Sequence, residues 1–284
     1  MTESMAGAGE PRRAVFVAEL DGRVGGVITL SERAHFSGQT DAYVGELIVA
    51  AGLERRGMAT GLRQQPGRVR DTGAVPDQTI NAVVFDLGGV LIDWDPRYLY
   101  RQLFADPAEM EDFLARVCTS DWHRAHDLGE DITASCRRLA EQHPGHKKMI
   151  MAWAERGEEM AAGQLDSTVQ VLWELKAAGM PCFALSNMEP DAFAIRRARF
   201  PFMKWFDGHV ISGLEGVAKP DPRIFKILLE RHGLDAPSTV FVDDQERNVA
   251  AAGAIGLTAL RFTSAPQLSQ DLLALGVTGI TPPL

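Results

Sequence analysis

Residues 80–96 read Ile-Asn-Ala-Val-Val-Phe-Asp-Leu-Gly-Gly-Val-Leu-Ile-Asp-Trp-Asp-Pro, and the rest of the chain is organised around them. Ala82, Val83, Val84 and Phe85 form an apolar, β-branched and aromatic run, the composition of a strand buried in a parallel sheet. The run stops at a carboxylate, Asp86, with Gly88 and Gly89 close behind. Open α/β sheets bind ligands at the carboxyl ends of their strands, and glycines there let backbone N–H groups approach an anion closely. Taken alone, such a strand end is also ordinary strand-to-turn punctuation.

Three later segments decide between these readings. Residues 183–187, Phe-Ala-Leu-Ser-Asn, are a second apolar run, ending in the hydroxyl of Ser186 and the amide of Asn187. Lys219 stands just before a helix start marked by Pro220-Asp221-Pro222, and residues 240–244, Val-Phe-Val-Asp-Asp, end in Asp243 and Asp244. Between them, Val169, Leu172, Trp173 and Leu175 recur at helical spacing with Gly179 as the stop, and Ile224, Phe225, Leu228 and Leu229 do the same. A helix over 246–254 and a strand over 258–262 complete the alternation. Alternating strands and helices imply an α/β fold with a doubly wound, parallel, Rossmann-like sheet and right-handed crossovers.

Residues 97–165 carry no strand-like run. Tyr98, Leu99, Leu103 and Phe104, then Met110, Phe113, Leu114 and Val117, then Met149, Ile150, Trp153 and Met160 repeat at helical spacing, so this stretch is expected to be an inserted helical cap. Within it Asp121, Trp122, His123, His126 and Asp127 cluster. They read as a polar, partly solvated cap face; a metal site is the alternative, because His123 and His126 are one helical turn apart. Arg196, Arg197 and Arg199 read as a solvated helix face.

The 284 residues, 45% of them hydrophobic, suit about two domains, and a net charge of −9 argues against nucleic-acid or anionic-membrane binding. An anionic substrate must then be attracted locally, by a metal or a few basic groups. No apolar run spans a membrane and no leader pattern is visible, which implies a cytoplasmic protein. Cys118, Cys136 and Cys182 are odd in number and lack close pairing, as reduced thiols would. Oligomeric state is not legible.

The first 62 residues are expected to form a small partial α+β segment behind a disordered tail over 1–10. Val15, Phe16 and Val17 precede Asp21-Gly22, and 24–30 follow, the pattern of a hairpin; 43–49 supply a third strand. The following Leu53-Glu54-Arg55-Arg56-Gly57-Met58-Ala59 resembles the front half of a GNAT acyltransferase, which implies that Arg56, Gly57 and Ala59 lie on a coenzyme A pyrophosphate loop. Glu54 departs from that family's pattern, and 63–79, with Pro66, Gly67, Gly73 and Pro76, read as a linker. The segment is therefore expected to be a non-catalytic remnant, with residual coenzyme A binding as the alternative.

From Ile80 to near the C-terminus the four strand-end motifs resemble the haloacid dehalogenase-like hydrolase superfamily, so 80–284 form its hydrolase domain. The Gly-Gly-Val turn followed by Asp-Trp-Asp-Pro is similar to sugar-phosphate phosphatases of that superfamily. The resemblance implies Asp86 as nucleophile, with Ser186 and Lys219 beside it in catalysis. It implies Mg2+ held by Asp86, the carbonyl of Gly88, Asp243 and Asp244, and a small phosphorylated substrate contacted by Gly89, Ser186, Asn187 and Lys219. It also exposes a departure. Most phosphatases of this superfamily carry an acid two residues after the nucleophile, and here that position is Gly88; Asp93 and Asp95 lie on the same turn. Two other functions stay open: a 2-haloacid dehalogenase, whose aspartate attacks carbon without a metal, and a non-catalytic binding protein.

Overall fold

The computed structural model describes the backbone of residues 13–20, 23–34 and 40–49, and residues 79–282 with their side chains. The chain divides into two compact units, residues 1–77 and 78–284. In the first, β1 (Arg13–Leu20), β2 (Arg23–Ala34) and β3 (Thr40–Val49) make an antiparallel sheet in the order β1-β2-β3, with Val17 opposite Val27 and Leu30 opposite Val44. The tail over 1–10, the Asp21-Gly22 turn, the loop holding Arg56, Gly57 and Ala59, and all of the 63–79 stretch but Thr79 lie outside the described residues.

The second unit opens with β4 (Ala82–Phe85), the 80–96 strand. A short strand β5 (Ile92–Trp94) leads into five cap helices: α1 (Arg97–Tyr100), α2 (Pro107–Arg116), α3 (Ser120–Asp127), α4 (Ile132–Gln142) and α5 (Lys147–Arg156). Their starts follow from the sequence: Asp106, Thr119 and Asp131 each accept an N–H from the first turn of the helix they precede. Strand β6 (Ala161–Gln164) leads out of the cap and pairs antiparallel with β5, Ile92 opposite Gln164. This corrects the expectation that 97–165 hold no strand. Ala-Ala-Gly-Gln has no β-branched or aromatic residue, and what makes it a strand is pairing with β5, a contact between residues about seventy apart.

The core then runs α6 (Asp166–Ala177), β7 (Cys182–Ser186), α7 (Pro190–Arg199), β8 (Gly208–Ile211), α8 (Ser212–Glu215), α9 (Pro222–His232), β9 (Thr239–Asp243), α10 (Glu246–Ala254), β10 (Thr258–Arg261) and α11 (Ala265–Ala274). The five core strands are parallel in the order β10-β9-β4-β7-β8. Strand β4 is central, and its side chains alternate between two layers. Val83 and Phe85 pack with α6, α7 and α11 through Leu172, Phe193 and Leu268. Ala82 and Val84 pack with α9 and α10 through Ile224, Phe225 and Ala252. Helices on both faces of a parallel sheet are the doubly wound architecture expected from the alternation. All three cysteines are buried and free.

Candidate active site

The site is built at the carboxyl edge of the sheet. Phe85 is level with Val242 of β9 and Ala184 of β7, so the residues that follow meet at one edge. Asp86 leaves β4 there, its N–H donating to Val242 O at 2.8 Å; Ser186 ends β7, and Asp243 ends β9 with Asp244 next. Lys219 arrives from the loop before α9. That helix starts where it does because Asp221 accepts the Arg223 N–H and Pro222 occupies the first turn.

Lys219 ties the cluster together. Its Nζ lies 3.0 Å from Asp86 Oδ1, 2.7 Å from Asp243 Oδ2 and 2.9 Å from the carbonyl oxygen of Leu185. Burial works against its charge, but the Asp243 and Asp86 carboxylates prevail and hold its pKa above the usual lysine value. Asp86 Oδ1 also accepts the Leu87 N–H at 2.7 Å, whereas Oδ2 accepts no hydrogen bond among the described residues. Asp243 is saturated. Lys219, the Gln245 N–H and the Asn248 amide, which reaches both oxygens, fill its four acceptor positions.

Oxygens of Asp86, Asp243 and Asp244 lie within 4.8 Å of one another, all three residues being buried. Burial pushes the Asp86 carboxyl up to about 7, Lys219 opposing the rise and Asp243 and Asp244 adding to it. Burial and the neighbouring Asp243 likewise push Asp244 up to about 7. One ammonium does not balance three carboxylates. The donor set is hard oxygen with surplus negative charge, which fits a small divalent cation such as Mg2+. No hydrogen bond among the described residues takes the carbonyl of Gly88, so it too is open to a ligand.

Gly89 and Asn187, expected to contact substrate, each also make hydrogen bonds within the fold. The Gly89 N–H is donated to Ile92 O at 2.9 Å within the turn. What glycine supplies here is closeness: at φ +76°, an added Cβ would sit 2.6 Å from Asp244 Oδ2. Asn187 is committed to Lys219, accepting its N–H at 2.8 Å and donating to its carbonyl at 2.9 Å, and thereby sets the lysine's position. Ser186, buried, makes no side-chain hydrogen bond among the described residues.

These contrasts make a prediction. Gly89→Ala should lose at least about 1–2 kcal/mol of stability, because the left-handed backbone penalises a Cβ even before Asp244 is displaced. Gly88→Ala, whose Cβ would meet nothing within 4 Å, should change stability by less than about 0.5 kcal/mol in the same denaturant titration.

In the cap cluster Asp121 is exposed and Trp122, His123 and Asp127 are partly buried, as a partly solvated face would be, whereas His126 is enclosed. His126 is 1% exposed. Trp122 meets His126 and Trp153 edge-on, and Trp94 of β5 stacks on His123 at 5.4 Å. Burial pushes both histidines down to about 4, so they are neutral near pH 7. Asp127 is partly buried, and desolvation pushes its carboxyl up to about 7. On α7, Arg196 is turned inward, 3.4 Å from Glu158, while Arg199 stays at the surface. Asn248, bonded to both oxygens of Asp243, is a site neighbour that motif reading passes over.

A doubly wound sheet with an inserted helical cap and a buried carboxylate–lysine cluster at its carboxyl edge is the arrangement of a capped Rossmann-like hydrolase. Residues 80–256 match the haloacid dehalogenase-like hydrolase family, and the chain belongs to it. The sesquiterpene phosphatase of Aspergillus oryzae is 28% identical over 197 residues, covering 68% of this chain and 95% of that one. The phosphorylated carbohydrates phosphatase of Thermotoga maritima is 26% identical over 184 residues, 63% of this chain and 82% of that protein. Among solved structures, a HAD family enzyme from Bacteroides thetaiotaomicron shares the fold with a TM-score of 0.55 at 23% identity, over 68% of this chain and 98% of that one. Among the described residues no helix is long and apolar enough to cross a membrane.

Proposed function

We propose that the protein is a magnesium-dependent phosphatase of a small phosphorylated metabolite, acting through an aspartyl-phosphate on Asp86. The observation that carries this reading is the meeting of three buried carboxylates with one buried lysine at a single sheet edge. Phosphoryl transfer to a carboxylate brings like charges together, so catalysis consists mainly of positioning and neutralisation. Asp86 Oδ2 attacks phosphorus while Lys219 fixes the other oxygen and offers its charge to the incoming phosphoryl group. Ser186 donates to a phosphate oxygen. Asp86, Asp244 and the Gly88 carbonyl would hold Mg2+, with Asp243 behind them organising Lys219 and the start of α10. Bound magnesium would neutralise charge on the phosphate oxygens.

A dehalogenase reading leaves the surplus carboxylates without a purpose, since displacement of halide from carbon calls for no cation. The phosphatase names of the two relatives favour phosphate esters and suggest what to test: sugar phosphates and isoprenoid phosphates. We assign the reaction to the second unit; none of the residues named above for it lies in the first.

Phosphate release across that panel is expected to stop on chelation and return with Mg2+. The metal should also register without substrate: at a concentration 100 times its Kd, thermal unfolding should report about 2.7 kcal/mol of stabilisation. Undiminished turnover in chelator, or halide release from 2-haloacids in place of phosphate release, would overturn the proposal.

A further inference from the structure

Beyond the groups assigned to the metal and the phosphate, the site as described offers no acid for the leaving group. Gly88 has no side chain, and the two acids on the same turn are committed elsewhere: Asp93 Oδ2 accepts from the Tyr98 hydroxyl at 2.7 Å, and Asp95 Oδ1 accepts the Arg97 N–H at 2.9 Å and pairs with its guanidinium at 3.3 Å. An alkoxide leaving group would depart unprotonated.

The cap supplies an acid over the same sheet edge. Asp127 ends α3, and its carbonyl accepts a hydrogen bond from Ser212 Oγ, which in turn accepts the Met188 N–H at 2.9 Å. Ser212 follows β8 directly, and Met188 comes two residues after Ser186, so this bond pins the end of α3 to the carboxyl ends of β7 and β8. Just beyond, a Cβ on Gly129 would sit 2.8 Å from Gly213 O, showing how closely the two backbones approach. The Asp127 side chain is 15% exposed, and His123 Nε2 lies 3.7 Å from its Oδ1. It lies in the fields of Lys219, the lysine bonded to Asp86, and of Arg196, Arg247 and Arg124, while Glu189 on the loop after β7 opposes them.

We propose that Asp127, carried by the cap, protonates the leaving group and so replaces the acid absent at Gly88. This rests on the phosphatase reading above. In the first half-reaction the Asp86 carboxylate bonds to phosphorus, the phosphorus–oxygen bond to the alcohol breaks, and the alcohol oxygen takes the proton of the Asp127 carboxyl. In the second, water attacks phosphorus and gives a proton to the Asp127 carboxylate, releasing inorganic phosphate and restoring Asp86. Charge and protons balance over the cycle, and the acid is in place only while the cap is docked.

Burial keeps the Asp127 carboxyl protonated up to about pH 7. An acid must hold its proton to act, so kcat/KM for an alkyl phosphate should fall as pH rises through that value. Asp127→Asn should remove this basic limb and lower alkyl phosphate turnover by about 10²- to 10⁴-fold, with a much smaller loss for p-nitrophenyl phosphate, whose leaving group needs no proton. Adding Gly88→Asp to that variant should restore part of the alkyl activity, since space is open at position 88. If Asp127→Asn does not fold, Asp127→Glu is read by the same pH profile, with the basic limb displaced. An equal loss on both substrates, or a basic limb that survives the substitution, would overturn the assignment of Asp127 alone. A parent enzyme that releases no phosphate from either substrate would instead overturn the phosphatase reading.

Discussion

Asp86→Asn is expected to abolish phosphate release, by about 10⁴- to 10⁶-fold, in a protein that remains folded. The amide is nearly isosteric with the carboxylate, keeps an acceptor for the Leu87 N–H and leaves the Lys219–Asp243 contact in place. It does not offer the nucleophilic oxygen. The fold should even gain. A carboxyl pushed up to about 7 by burial holds its proton in the folded state and would lose it in the unfolded chain, so folding costs more as pH rises from about 4 to 7. Without metal, the Asp86→Asn protein should therefore unfold at or above the parent's melting temperature at pH 8. Retained activity would sink the mechanism, and a large drop in melting temperature would mean that Asp86 is structural.

Lys219→Met carries the largest expected cost in stability, about 3–5 kcal/mol in metal-free protein. The lysine is 2% exposed and is the cation facing both Asp86 and Asp243. Methionine fills much of its volume but leaves two buried carboxylates and the Leu185 carbonyl without their shared donor. The deficit measured by urea unfolding should be smaller at pH 5 than at pH 8, because Asp86 without its ammonium takes up a proton more readily. Added Mg2+ should recover part of it. A loss below about 1 kcal/mol at pH 8 would show that water enters the cluster and screens it.

The sequence by itself determined the sheet and the three strand ends that carry Asp86, Ser186 and Asp243. An apolar run broken by Asp86, Ser186 or Asp243 is a local pattern whose period and length specify a buried strand, and the right-handed crossover rule then brings the ends to one edge. The same local logic reached the cap helices, since Met110, Phe113 and Leu114 mark a buried stripe wherever that helix comes to rest. It did not reach β6, which is a strand only because β5 lies beside it. Nor could it separate Asn187, taken up by the Lys219 backbone, from Ser186 next to it, or tell that the Gly89 N–H is spent on Ile92. Where α3 docks was decided by tertiary structure alone. Asp127 and Arg196 have the sequence surroundings of solvated helix faces, and their partial burial comes with the contacts between cap and core through Ser212, Met188 and Glu158. Hydrophobic periodicity records which face of a helix is apolar. The environment of a polar side chain depends on which distant surface that helix meets, and only the folded chain brings those surfaces together.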